Sequence, residues 1–366
     1  MSTEINQLVS DLVDRMASGS AAAFREGLAR LGEAARAGGP ETLTAAVRAL
    51  ALVLPGLGGD FAKAAVLAGA CVEWGGSPLP LAEALPQRAA ESMMLNALVE
   101  KWWTKAGTGL PLPKATRKDA QQLEQLFAPM VRPGGALTAD GLRRIIMSWY
   151  DMDDWLRALL TVLADGGFRD ALPDAVKADL RETAAAVAGR SQQAAWAADL
   201  ASVLDDEQLL VLDPGTRRGY ALTMRGIGDN TQLHILLADR LTGDPAAGLL
   251  PVRRPDPSWV AAATDADPFL GAGNAAVRAF RLFDGHGRYL YPEGRPADIG
   301  LLDGVRLLVV HPPNRTYRMG SGRVFAAMRP TLTLDRQLSP TEVENWLARI
   351  TPAVEDDLMA QRAPSR

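Results

Sequence analysis

Across DDEQLLVLDPGTRRGYALTM, residues 205–224, the chain changes its hydrophobic period. Leu209-Leu210-Val211-Leu212 is a short apolar run closed by Asp213-Pro214-Gly215, which predicts a strand and a turn. Tyr220, Leu222 and Met224 then alternate, predicting a second strand. Upstream, apolar residues recur every three or four positions instead. The expectation is a two-domain α+β protein. Residues 1–204 form an all-α domain, a helical bundle or irregular solenoid. Residues 205–366 form an α+β domain with a mainly antiparallel or mixed sheet.

The upstream stripes are explicit. Ile5, Leu8, Val9, Leu12, Val13 and Met16 fall on one helical face, as do Phe61, Ala64, Leu67, Cys71 and Trp74. Met94, Leu95, Leu98, Trp102 and Trp103 line another helix. Leu142 to Leu163 is a long stripe with Thr138 at its cap and Gly166-Gly167 at its end. Alanine-rich helices follow around 172–188 and 190–204. The tryptophans keep no fixed spacing, so no recognised repeat is supported.

Downstream, a helix runs through Leu233, Leu236, Leu237 and Leu241, capped by Asn230 or Thr231. Asp256-Pro257 opens a short helix. Val277 to Phe283 is a strand turned by Asp284-Gly285-His286-Gly287 into Arg288 to Tyr291. Val305 to Val310 is a central strand, and Val324–Met328 and Thr331–Asp335 are further strands. The last helix spans 339–351: Ser339 caps it, Pro340 takes the first turn and Glu342 completes a capping box. A loose tail follows Asp357.

With 366 residues, 48% hydrophobic and 22% charged, the composition excludes collagen, wholesale disorder and a small disulfide scaffold. The net charge of −4 argues against general nucleic-acid binding. Beyond residue 205 there are 19 acids, 19 arginines and no lysine, so the whole net charge falls on the helical part. Cys71 is the only cysteine, which excludes an intrachain disulfide and a thiolate zinc site. The start lacks a signal-peptide pattern and no stretch is long and apolar enough to span a bilayer. A cytoplasmic protein away from the membrane is expected.

No catalytic motif is specific, and no cofactor or metal site is implied. The clearest electrostatic feature is residues 304–334, which hold Arg306, Arg315, Arg318, Arg323 and Arg329 without an Asp or Glu. In a strand, Arg323 and Arg329 share a face, with Tyr317 and Phe325 adding aromatic surface. Ser321 and Gly322 lie in a flexible loop whose amides suit an anion. Arg315, Arg318, Ser321, Gly322, Arg323 and Arg329 are therefore candidates for binding a phosphate, a carboxylate or an acidic peptide. The alternative is a solvated face, or arginines paired with acids from elsewhere in the fold.

Gly226-Ile227-Gly228-Asp229-Asn230 precedes a helix and reads either as a phosphate loop or as a tight turn with a cap. Among three histidines, His311 ends a strand, His234 sits on a helix and His286 lies in a turn; His311 and His234 are the candidates for acid–base work. Asp151-Met152-Asp153-Asp154-Trp155 reads as a solvated helix face rather than a metal cluster. Two functions follow. One is a non-catalytic interaction or regulatory protein, its helical domain offering a protein-partner surface and its arginine-rich segment recognising an acidic partner or small anion. The other is a hydrolase or transferase acting on a phosphorylated or carboxylated substrate, with His311 as acid or base. Oligomeric state is not legible.

Overall fold

The computed structural model describes residues 2–106, 109, 111–113, 117–131, 137–266, 276–314, 316–320 and 322–353. They fall into two compact units, Met1–Ala201 and Ser202–Arg366.

The first unit is helical. Its elements are α1 (Ser2–Ala17), α2 (Ala21–Ala37), α3 (Gly39–Val53), α4 (Lys63–Glu73), α5 (Ala84–Lys105), α6 (Arg117–Phe127), α7 (Ala139–Leu163), α8 (Gly166–Ala171), α9 (Asp174–Ala185) and α10 (Gln192–Leu200). Thr138 caps α7 as its sequence predicts, accepting from the Gly141 amide at 3.0 Å. Small residues set the closest approach: a Cβ on Gly69 of α4 would meet the Ala158 Cα of α7 at 3.1 Å. The acidic run on α7 is only partly solvated. Asp151 is buried, taking the Gly59 amide at 2.7 Å and the Ser92 hydroxyl at 2.9 Å. Burial pushes its carboxyl up to about 6. No helix among the described residues is long and apolar enough to cross a membrane.

The second unit holds a mixed sheet. Its strands are β1 (Glu207–Asp213), β2 (Arg218–Arg225), β3 (Ala276–Val277), β4 (Arg281–Asp284), β5 (Leu301–Leu302), β6 (Val305–His311), β7 (Arg318–Met319) and β8 (Thr331–Gln337). The main order is β4-β6-β1-β2-β8, with β5 also on β6; β3 and β7 form a separate two-stranded ladder. Among the described strand pairs only β1 and β6 run parallel. Helices α11 (Asn230–Leu241) and α13 (Pro340–Leu347) cover opposite faces, and α12 (Pro257–Thr264) lies beside α11. Leu209 and Val211 of β1 pack with Leu233 and Leu237, while Leu212 packs with Val343 on the other face. Burial on both faces is why β1 and β6 read as unbroken apolar runs. Gly219 of β2 lies beneath α13, where a Cβ would meet Leu338 at 2.7 Å and Val343 at 2.9 Å.

Several local expectations are corrected. The capping box of Ser339 and Glu342 is present, but the last helix stops at Leu347 and continues only as turns to Ile350. The expected loose tail lies outside the described residues. Asp229, not Asn230 or Thr231, caps α11, accepting from the Gln232 amide at 2.7 Å. Val277–Phe283 is not one strand, because β3 and β4 belong to different sheets. Val324–Met328 forms no strand; it turns, with the Met328 amide bonded to the Phe325 carbonyl at 3.0 Å.

Candidate functional site

Of the arginines of 304–334, Arg323 and Arg329 meet at one acceptor, the Ala326 carbonyl, at 3.0 and 2.9 Å. Without a strand at 324–328, Arg323 and Arg329 share no strand face. Arg323 is only 7% exposed, and its guanidinium donates to the carbonyls of Ala262 at 2.9 Å, Ala266 at 2.8 Å and Ala326 at 3.0 Å. It thereby satisfies acceptors at and beyond the end of α12 that the helix cannot use itself. Arg306 is buried and pairs with Glu207 at 2.9 Å. Arg318 is exposed on β7, opposite Val277, and Gly322 is half-buried. Arg329 is exposed and bonds the Ala326 and Met328 carbonyls. With Arg240, Thr331, Thr333 and Asp265 it lines an open groove of about 390 Å³. Arg315 and Ser321 lie outside the described residues.

The glycine loop before α11 is a turn and a cap. The Gly228 amide donates to Gln232 Oε1 at 2.7 Å, Asn230 to the Gly294 carbonyl at 2.8 Å and Thr231 to that of Pro292 at 2.9 Å. The amides a phosphate would use are committed. His311 ends β6 half-buried, edge-on to Phe283 with centroids 5.4 Å apart. It lines a cavity of about 330 Å³ with Arg217, Asp284, Leu347 and Pro352. Asp284 is saturated by its own turn: it takes the His286 and Arg288 amides and the Arg288 Nε at 2.7 Å. His286 is exposed on that turn.

His234 leads to a different cluster. It is 2% exposed on α11, and its Nε2 accepts from the Ala279 amide at 2.8 Å. That bond supplies an acceptor to a backbone N–H between β3 and β4, where the ladder is interrupted. Burial, and then the nearby Arg278 charge, hold the imidazole down at about 3. It is therefore neutral at physiological pH, and because Nε2 accepts, Nδ1 carries the proton. That Nδ1 has no hydrogen-bond partner among the described residues. One turn earlier, Asn230 is equally buried. Its Nδ2 donates to the Tyr291 carbonyl at 2.9 Å, which fixes the amide orientation and leaves Oδ1 without a partner.

Arg278 adjoins them. Its amide bonds the Tyr317 carbonyl at 3.0 Å, continuing the β3–β7 ladder by one residue. The residue is 9% exposed, and its guanidinium packs against the rings of Tyr317 at 5.1 Å and Tyr289 at 5.4 Å. Tyr289 stands edge-on to Tyr291 at 5.0 Å, so the aromatic contacts lead back to the loop that holds Asn230. Among the described residues the guanidinium makes no ion pair, and its buried Nε has no hydrogen-bond partner.

Burying a charge costs several kcal/mol even after relaxation. A desolvated cation–π contact returns about 2 kcal/mol at most. Two such contacts leave the guanidinium short of a counter-charge. The cluster thus presents a cation, an N–H donor and a fixed carbonyl acceptor. A guanidinium and an N–H are the kinds of donor that make charge-assisted hydrogen bonds to anions.

The sequence carried one signal for this site: Arg278 stands in an apolar stretch with no acid between Asp267 and Asp284. Among the described residues no group of three or more His, Cys, Asp or Glu is placed to hold a metal. No family model, no curated protein and no solved structure matches the chain.

Proposed function

We propose that this is a non-catalytic binding or regulatory protein whose C-terminal unit recognises a small anion through Arg278. The observation that carries the reading is a buried guanidinium with no ion pair among the described residues and an unpartnered Nε. The anion theme of the sequence is kept, but its anchor moves from Arg323 and Arg329 to Arg278. The helical unit supplies the protein-partner surface. Leu52, 80% exposed on α3, lines a groove of about 420 Å³ with Arg48, Pro55 and Glu83 in support of that role.

The test is thermal unfolding of the full chain at low salt with carboxylates and inorganic phosphate. An anion at a hundred times its Kd adds about 2.7 kcal/mol to the state that binds it. Arg278→Gln abolishes that gain. An anion shift that survives Arg278→Gln would remove the assignment. The enzymatic alternative is favoured by one observation, the His311 cavity; turnover of a phosphate or carboxylate ester, lost in His311→Gln, would establish it instead.

A further inference from the structure

Resting on the anion-binding reading, we infer that the ligand at Arg278 is a small hydroxycarboxylate, its carboxylate on the guanidinium and its hydroxyl between His234 Nδ1 and Asn230 Oδ1. The three orphaned atoms have fixed roles. Arg278 Nε–H and His234 Nδ1–H can only donate. Asn230 Oδ1, a carbonyl oxygen, can only accept, and the bond from its Nδ2 to Tyr291 fixes which amide atom stands there. Asn230 and His234 are four residues apart on α11, so their side chains are neighbours on one face.

A group that satisfies both must accept from one and donate to the other. A hydroxyl does so. A carboxylate oxygen has no proton to give Asn230. An ammonium has no lone pair for His234, and its charge is repelled by Arg278. The planar guanidinium in turn matches a carboxylate bidentately, along an edge that includes the unpartnered Nε. Arg278 and Ala279 are consecutive, and Ala279 holds the other nitrogen of the His234 ring. Arg278 also packs on Tyr289, Tyr289 on Tyr291, and the Tyr291 carbonyl holds Asn230, while the Arg278 charge acts on the His234 ring; this is the proximity on which one short ligand is inferred. A water molecule can bridge Asn230 and His234, but it leaves Arg278 without a counter-charge.

The experiment is calorimetric titration of the full chain with matched acid pairs: lactate and propionate, 3-hydroxypropionate and propionate, malate and succinate. Inorganic phosphate and alanine are additional arms. At least one hydroxy acid binds tenfold or more tightly than its deoxy partner, and alanine does not bind. In Asn230→Ala the ratio falls below threefold. Because that variant also loses the Tyr291 bond, a second readout uses the wild-type chain. The His234 Nδ1–H resonance shifts on adding the hydroxy acid and stays in place on adding the deoxy acid. Equal affinity within every pair, or phosphate binding alone, overturns the hydroxycarboxylate and leaves Arg278 as an anion site if Arg278→Gln abolishes the signal. No binding by any acid or by phosphate overturns both readings.

Discussion

Arg278 and Arg323 are both buried in the C-terminal unit, and both stand in stretches of sequence without acids. Their surroundings differ in kind. Arg323 donates to two backbone carbonyls at and just beyond the end of α12, and to the Ala326 carbonyl of its own turn. Arg278 packs on two tyrosines, and its Nε–H meets no acceptor among the described residues. Burial of a charge therefore does not by itself distinguish structure from function. What distinguishes them is whether the donors are satisfied by the chain itself.

The largest expected effect is in stability, and it runs in opposite directions at the two positions. Arg323→Met leaves the carbonyls of Ala262 and Ala266 without this donor, while Ala326 keeps Arg329; at about 1–3 kcal/mol per unsatisfied group, with partial rescue by water, the unit loses about 2–3 kcal/mol. Arg278→Met removes a buried charge that lacks an ion pair. In the absence of anion it is neutral or raises stability by about 1 kcal/mol. Hydrogen exchange of the β1 and β6 amides under mild denaturant reads both in the same unit. Equal losses at the two positions would erase the distinction.

A smaller effect is the pH dependence of the Arg278 neighbourhood. His234 has a folded value of about 3, below its ordinary 6.5. The unfolded chain therefore binds a proton that the native imidazole refuses. This contribution is complete above about pH 6.5 and is lost as pH falls from 6.5 towards 3, by up to about 1.4 kcal/mol per pH unit. Asp229, pushed up to about 6 mainly by burial, acts with the opposite sign: its native carboxyl holds a proton that the unfolded one gives up between about pH 6 and 4. In the wild type the two offset each other. In His234→Gln only Asp229 remains, so the stability gap between wild type and variant narrows from pH 7 to pH 4.5. Denaturation curves whose gap is constant across that range would mean His234 titrates normally.

Much of the architecture was legible because it depends on local signals. The run Leu209–Leu212, the Thr138 cap and the Ser339–Glu342 box each carry their cause within a few residues, and each is found where expected. The failures share one reason. Val277–Phe283 reads as one strand, yet it is split by a bond from Ala279 to His234, 45 positions away in the chain. Val324–Met328 has strand-like residues, but Arg323 is held by the end of α12 and the segment turns. Asp151 reads as solvated from its acidic neighbours, yet the Gly59 amide and Ser92 bring it inside. The arginine count of 304–334 pointed to anion chemistry in the C-terminal part. It could not show which guanidiniums the fold itself would occupy, and the cluster around Arg278 draws on three separated segments.

The smallest expected effect tests the exposed arginines that sequence counting favoured. Arg329 keeps its water, and its two contacts are to carbonyls of its own turn. Reversing its charge alters stability by no more than about 0.5 kcal/mol. At 0.15 M salt the Debye length is about 8 Å, so only groups within roughly that distance feel the change strongly. Arg329→Glu therefore lowers anion affinity less than threefold, whereas Arg278→Gln removes it. A tenfold loss in Arg329→Glu, with Arg278→Gln silent, would move the anion to the open groove shared by Arg329 and Arg240. Recognition would then rest on a hydrated surface pair, strongly salt-dependent and open to an extended acidic chain, rather than on a desolvated cation that admits only a small ligand.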